Sequence, residues 1–534
     1  MKLRKLFIPA LCGSIAVAAS ANIFGSKQFD SAQKLQLAEM IIENYYVDTL
    51  SANKIVEQGI IAMLKELDPH STYTTAAETK ALTEPLNGNF SGIGVQFQIV
   101  QDTVYVIQTV AGGPSEKVGI IPGDRIIACN DTVIAGMKMQ NSDIMKRLRG
   151  PKRSVANLKI VRRSEPDTLL FRVIRADIPL NTVDAAYMAD PTTGYIKVTS
   201  FGQETPKEFR EALASLRKQG MKNLIIDVQD NGGGYLSAAV ELSEQFLPNG
   251  STVVYTEGLH QPTQFFFANG RNPDTQGRVI VMTNEFSASA SEILSGAIQD
   301  NDRGLVVGRR TFGKGLVQRP FPFPDGSMIR LTTAHYYTPS GRSIQKPYKR
   351  GEGEDYAKDI SNRYEHGEFY SADSIRVDST QVHTTLINGR KVYGGGGIMP
   401  DLFVPVDTTG VNRYFRELRA KNALSQYVVE YVENNRSNLK SKYPNEDKFV
   451  NEFDVSPEML SEFISLADKL GVEPDSAQFE ESKPYIVGNI KGLIGRDLFT
   501  PSTFYRVFNP LNPVYKQALD LINDPKKYNS LLQK

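Results

Sequence analysis

The sequence predicts a multidomain α/β protein, and three observations carry that expectation. At 534 residues the chain is too long for one hydrophobic core, which points to about three or four domains. Apolar residues at 40% and charged residues at 23% are the balance of an ordinary globular protein. Between 181 and 345, strand-like and helix-like periodicities alternate, as in parallel strands joined by crossover helices.

The elements follow in chain order. Met1-Lys-Leu-Arg-Lys5, an apolar run over 6–18 and the small residues Ala19-Ser-Ala21 have the charge and length of a secretory signal segment, 1–21. Export is therefore expected, to a periplasmic location, soluble or membrane-associated; the apolar run is short for a membrane span. Cleavage there would remove Lys2, Arg4, Lys5 and Cys12, moving the net charge from +1 to −2 and leaving Cys129 without an internal disulfide partner. Residues 22–85 read as a helical region, with Ala32, Leu35, Leu37, Ile41 and Ile42 at near-helical spacing. Leu67-Asp-Pro-His-Ser71 ends it, and His70 reads as a turn residue.

From Phe90 the period changes to two, and 86–178 holds five or so short strands with two helices, one at 139–148. The α/β core occupies 179–410; the apolar run Leu224-Ile-Ile-Asp-Val228 suits a buried parallel strand. Residues 350–393 read as a polar insertion without clear periodicity, and 411–534 as a helical region with Tyr427, Val428, Tyr431 and Val432 on one face. Sixty-one basic against sixty acidic residues give no electrostatic case for nucleic acid. The five histidines (70, 260, 335, 366, 383) are scattered and no Cys or His pair has metal spacing, so neither metal nor cofactor is expected.

The chemistry concentrates in Asn284-Glu-Phe-Ser-Ala-Ser-Ala-Ser-Glu292 and Thr311-Phe-Gly-Lys-Gly-Leu-Val-Gln318. A serine hydroxyl is a poor nucleophile until a base takes its proton, and a buried lysine can be that base. Spacing alone does not separate Ser287, Ser289 and Ser291. Ser289 is favoured because a helix over 288–299 begins there, leaving the Ala290 N–H free to receive an oxyanion. Lys314, between two glycines, is the candidate base, and Gln318, four residues on in a strand, is expected on the same face to orient it. Asn231-Gly-Gly-Gly234 follows the buried strand, and Gly233 is the candidate second oxyanion donor.

These blocks, with Leu67-Asp-Pro-His-Ser71, Thr338-Pro-Ser-Gly-Arg342 and Gly396-Gly-Ile-Met-Pro-Asp401, resemble the C-terminal processing peptidases (tail-specific proteases) over roughly 30–405. The resemblance implies a ClpP/crotonase-like catalytic core with an inserted PDZ-like domain, and a serine endopeptidase with Ser289 as nucleophile, Lys314 as base and Gln318 orienting it. Phe90-Ser-Gly-Ile-Gly-Val-Gln-Phe97 is similar to the loop that captures a terminal carboxylate, which implies peptide binding at Gly92, Ile93, Gly94 and Val95. The implied partners are protein substrates held by their C-termini; an adaptor or activator is compatible with this, and the C-terminal helices, which the resemblance does not reach, offer either a surface for a second copy or plain scaffold. The chain departs from the family pattern at Asn231-Gly-Gly-Gly234, where Asn-Pro-Gly-Gly is usual, and at Gln229, where arginine is common. The alternative is a catalytically inactive PDZ scaffold of the same fold.

Overall fold

The computed structural model describes residues 30–269, 274 and 276–533; the expected signal segment lies outside them. The chain divides into two compact units, up to Leu64 and from Lys65. The described part of the first unit is helical, Ser31–Tyr45 and most of Ala52–Lys65, as the apolar spacing predicts. Among the described residues no helix is long and apolar enough to cross a membrane.

The second unit is built on a six-stranded sheet in the order Val183–Met188, Thr193–Val198, Asn223–Asp227, Val279–Thr283, Leu305–Gly308, Leu402–Phe403. The first pair is antiparallel and the rest parallel, as the near-continuous apolar runs require. Successive residues of each strand feed opposite faces. Ile196, Val198, Ile226, Val281 and Val306 meet the helices Thr205–Lys218, Leu236–Ser243 and Ala290–Asp300 on one side. Tyr195, Ile225, Ile280, Met282 and Val307 face Val514, Tyr515, Leu521, Ile522 and Tyr528 on the other. The last two helices, Pro513–Asn523 and Pro525–Leu532, thus spend their apolar stripe covering the sheet. The helices from Arg413–Ala420 to Ser476–Leu498 instead pack around a core of their own, which includes Tyr427, Val428 and Val432.

A second, antiparallel sheet joins Thr72–Thr74, Met328–Tyr337, Thr252–Gly258 and Gln261–Phe267, with Leu316–Pro322 also paired to Met328–Tyr337. The small domain is a sheet of Val95–Val100, Thr103–Thr109, Arg125–Cys129, Val155–Val161 and Leu169–Ile174, closed by the helix Asn141–Leu148. Cys129 is buried in its core. Paired strands Asn89–Gly92 and Ala176–Pro179 carry the chain in and out. The Arg125–Glu433 ion pair (2.9 Å) and a Gln108 Nε2 bond to the Arg496 carbonyl (2.6 Å) tie this domain to the C-terminal helices.

The stretch 350–393 departs from the expected polar insertion without clear periodicity. It forms the helix Gly353–Glu365, with Tyr356 and Arg363 buried. Arg363 donates to the carbonyls of Thr311 (3.0 Å) and Arg310 (2.8 Å), and Lys346 Nζ lies 4.0 Å from the ring centres of both Phe312 and Tyr356. Polar composition hides this burial because the buried groups are charges paired inside the fold, such as Arg363 with Glu368 at 2.8 Å.

Candidate active site

Ser289 sits where the loop after Val279–Thr283 turns into the helix Ala290–Asp300, with φ 56° and ψ −112°. A side chain is strained in that region, so the surroundings must hold it there. The Ser289 N–H donates to Glu292 Oε2 (2.8 Å), and the Ser289 carbonyl accepts from the N–H groups of Glu292 (2.8 Å) and Ile293 (3.0 Å). The structure also separates the three serines. Ser287 Oγ donates to the Val228 carbonyl and Ser291 Oγ to the Asn231 carbonyl, each at 2.8 Å, and both side chains are fully buried. Ser289 is half-buried, donates its hydroxyl to no described residue and lines a cavity of about 480 Å³.

Lys314, Gln318, Gly233 and Arg330 line the same cavity. Lys314 lies in the loop ahead of the strand Leu316–Pro322, which is wrapped closely by neighbouring backbone. A side chain at Gly313 (φ +86°) would come within 3.1 Å of the Gly397 nitrogen, and one at Gly315 within 2.9 Å of the Gln345 nitrogen. These glycines therefore serve close packing. Burial, reinforced by the Arg330 charge and opposed by Glu292 and Asp68, brings the Lys314 ammonium down to about 8. Among the described residues its Nζ makes no hydrogen bond or ion pair, and none links it to Ser289 Oγ.

Glu292, which the sequence reading missed, stitches the two motifs together. Buried completely, it accepts from the N–H groups of Ser289 (2.8 Å), Gly313 (2.7 Å) and Lys314 (2.9 Å) and from Thr311 Oγ1 (2.6 Å). Burial pushes its carboxyl up, against four hydrogen bonds that favour the charged form. The local signal was Ser289-x-x-Glu292, the spacing of a capping box. Tyr336 completes the brace: its hydroxyl lies 2.5 Å from the Lys314 carbonyl and 3.1 Å from that of Ser289.

Gln318 reaches the site by a route other than the one expected. Lys314 precedes the strand and the ladder shifts register between Val317 and Gln318, so a spacing of four does not fix a common face. The Gln318 amide donates to the Leu316 carbonyl (3.1 Å) and to Thr332 Oγ1 (3.2 Å), and Thr332 Oγ1 donates to Asp68 Oδ1 (2.9 Å). Asp68 is also held by Ser71 Oγ (2.5 Å), which explains the Leu67–Ser71 motif. His70 is more than a turn residue: its Nε2 lies 2.8 Å from the Tyr356 hydroxyl, and burial beside Lys314 drives it down to about 4.

The two expected oxyanion donors differ. The Ala290 N–H has no partner among the described residues. The Gly233 N–H donates to Asn231 Oδ1 (2.8 Å), although Gly233 presses so close that a Cβ there would lie 2.8 Å from Ser289 Cβ. In the small domain, Ile93, Gly94 and Val95 line a groove of about 310 Å³ with Phe90, Met145 and Leu148; Gly92 lies in a strand opposite Ala176. The Arg149 guanidinium sits 4.3 Å over the Phe90 ring at its edge.

Residues 192–353 match peptidase family S41, 82–161 the PDZ domain and 414–500 a family of unknown function, DUF8443. The chain is 34% identical over 334 residues to the carboxy-terminal processing protease CtpB of Bacillus subtilis (strain 168), covering 62% of this chain and 69% of that protein. It belongs to the carboxy-terminal processing proteases of peptidase family S41. CtpA of the same organism is 32% identical over 353 residues, covering 64% and 74%. The photosystem II D1 C-terminal processing protease has a similar structure, with 27% identity, a TM-score of 0.35 and coverage of 58% and 83%.

The α/β core is thus an S41 peptidase fold, the small domain its inserted PDZ domain, and a C-terminal helical region follows. As a family member the chain is a serine-type peptidase. What this S41 peptidase adds to its motifs is the tertiary frame, in which Asp68, Glu292 and the strand carrying Arg330 and Thr332 converge from three separate stretches of sequence.

Proposed function

We propose that this protein is an exported serine endopeptidase that captures protein C-termini in its PDZ domain and cleaves peptide bonds with a Ser289–Lys314 dyad. The observation that carries the reading is a buried lysine near pH 8, in one cavity with the one serine of its cluster whose hydroxyl is not donated to a backbone carbonyl. Neutral Lys314 takes the Ser289 proton as Oγ attacks the scissile carbonyl; the protonated lysine then gives that proton to the leaving amine, and water hydrolyses the acyl-enzyme. Because no hydrogen bond joins the two side chains at rest, a rotation of Lys314 towards Oγ precedes attack. The free Ala290 N–H is the first oxyanion donor. Gly233 joins it once its N–H leaves Asn231 Oδ1, a small turn for a glycine at φ +100°. Gln318, tethered by Thr332 and Asp68, restricts the space open to the lysine.

In the PDZ domain, the N–H groups of Ile93 and Gly94, which have no partner among the described residues, suit a terminal carboxylate, and the apolar groove beside Asn141–Leu148 suits an added strand with an apolar last residue. Purified protein and Ser289→Ala, each given an unstructured protein with an apolar C-terminus or its C-terminally amidated form, test the reading. Cleavage by wild type alone, weakened by amidation, is expected. Cleavage by the variant removes Ser289 from the reaction. Binding without cleavage by wild type makes the protein a peptide-binding scaffold.

A further inference from the structure

Arg330 stands near the start of the strand Met328–Tyr337, and its side chain has no ion pair or hydrogen bond among the described residues. Its Nε is buried without a partner. By contrast, the buried arginines of the fold are held: Arg342 by Asp300 (2.7 Å), Arg363 by Glu368 (2.8 Å), Arg390 by Asp302 (2.7 Å), and Arg175 by backbone carbonyls. Arg330 is half-buried in the cavity wall, and a guanidinium there without an anion is open to a ligand that completes it.

The cavity supports that implication. Met328, Arg330 and Tyr336 lie on one strand and line it together with Ser289 and Lys314. Among the described residues no Asp or Glu lines it and the remaining wall is largely apolar, so the formal charges they present to a bound chain are the two cations. A guanidinium matches a carboxylate bidentately, which a lysine does not.

We propose that Arg330 is a specificity-determining residue that receives a carboxylate of the bound chain beside the scissile bond. The inference rests on the hydrolase reading and adds the chemistry of a subsite: the enzyme prefers an acidic group next to the cut. That group is either an Asp or Glu side chain or the terminal carboxylate of a chain cut close to its end.

Matched peptides tell these apart. One pair differs only by Asp or Asn flanking the scissile bond; a second, short pair differs only by a terminal acid or amide. In wild type, kcat/KM is expected to favour the carboxylate by about tenfold or more, the size of a charge-assisted hydrogen bond. Arg330→Gln brings the ratio to about one, Arg330→Glu reverses it, and Arg330→Lys keeps part of it. Loss of the Asp preference identifies a side chain, and loss of the acid preference identifies the terminus. The PDZ groove is untouched by these variants, so its own reading of a terminus survives them. The ratio is internal to each protein, and the wild-type ratio alone tests the subsite if a variant fails to fold. Equal ratios in wild type and Arg330→Gln, or no wild-type preference, overturn the proposal while leaving hydrolysis intact. If wild type cleaves neither peptide, binding to Ser289→Ala decides: a carboxylate preference lost in Ser289→Ala/Arg330→Gln keeps the subsite without the hydrolase, and its absence removes both.

Discussion

The Lys314 N–H donates to Glu292 Oε2 at 2.9 Å, and that same oxygen takes the N–H of Ser289 at 2.8 Å. One buried carboxylate oxygen therefore sets the backbone of the two residues on which the proposed chemistry depends. Precise placement is worth several orders of magnitude in rate, so Glu292 acts as a positioning residue.

Glu292→Gln keeps the shape but turns an NH2 group towards donors. It is expected to lower kcat about 100-fold and stability by about 1–3 kcal/mol, with KM nearly unchanged. Steady-state kinetics and denaturant unfolding check this. A stability loss with kcat retained would reduce Glu292 to a helix cap.

Ser289 and Ser287 should separate by experiment. Ser289→Ala abolishes cleavage with little change in stability, and Ser289→Gly raises stability by about 1 kcal/mol because glycine relieves the positive φ. Ser287→Ala leaves the Asn284 N–H without its acceptor and costs about 1–2 kcal/mol, while cleavage persists. Unfolding curves beside activity assays test all three.

Lys314 links activity and stability to pH. Its ammonium titrates at about 8 against an ordinary 10.5, so folding disfavours the charged form. That penalty is full below about pH 8, shrinks between about 8 and 10.5, and is absent above. Lys314→Met is therefore expected to be inactive yet about 1–3 kcal/mol more stable at pH 7, the gain fading by about pH 10.5. Unfolding of both proteins across that window checks the sign. In wild type, kcat/KM rises to a plateau above about pH 8; His70, held at about 4, adds no step between pH 5 and 9.

The tether from Asp68 through Thr332 to Gln318 predicts that Thr332→Val lowers kcat about tenfold, with KM little moved, and that Gln318→Ala adds little further loss in the double variant. Additive losses in the double-mutant cycle would show that the two residues act independently.

The sequence carried the fold far, because the parallel strands are continuous apolar runs and the crossover helices are amphipathic. Ser289 and Lys314 were legible for a similar reason: a helix start and a glycine-flanked lysine are local signals. Arg330 was not legible, since nothing near it in sequence marks it; its significance is the missing partner, which only tertiary structure reveals. Asp68 was seen as part of a turn, and its bond to Thr332 spans 264 residues. The helix Gly353–Glu365 was hidden because charge pairing stands in for apolar burial there. Helices at 513–532 were merged with the preceding bundle because amphipathic helices do not declare which surface they cover.

The most direct test of the central claim is to trap the acyl-enzyme with a slow ester substrate and measure its formation by intact-protein mass spectrometry between pH 5 and 10. The account predicts one adduct, on Ser289, whose rate of formation rises through about pH 8 and is lost in Lys314→Met. An adduct on another residue, or formation at the same rate in Lys314→Met, would contradict it.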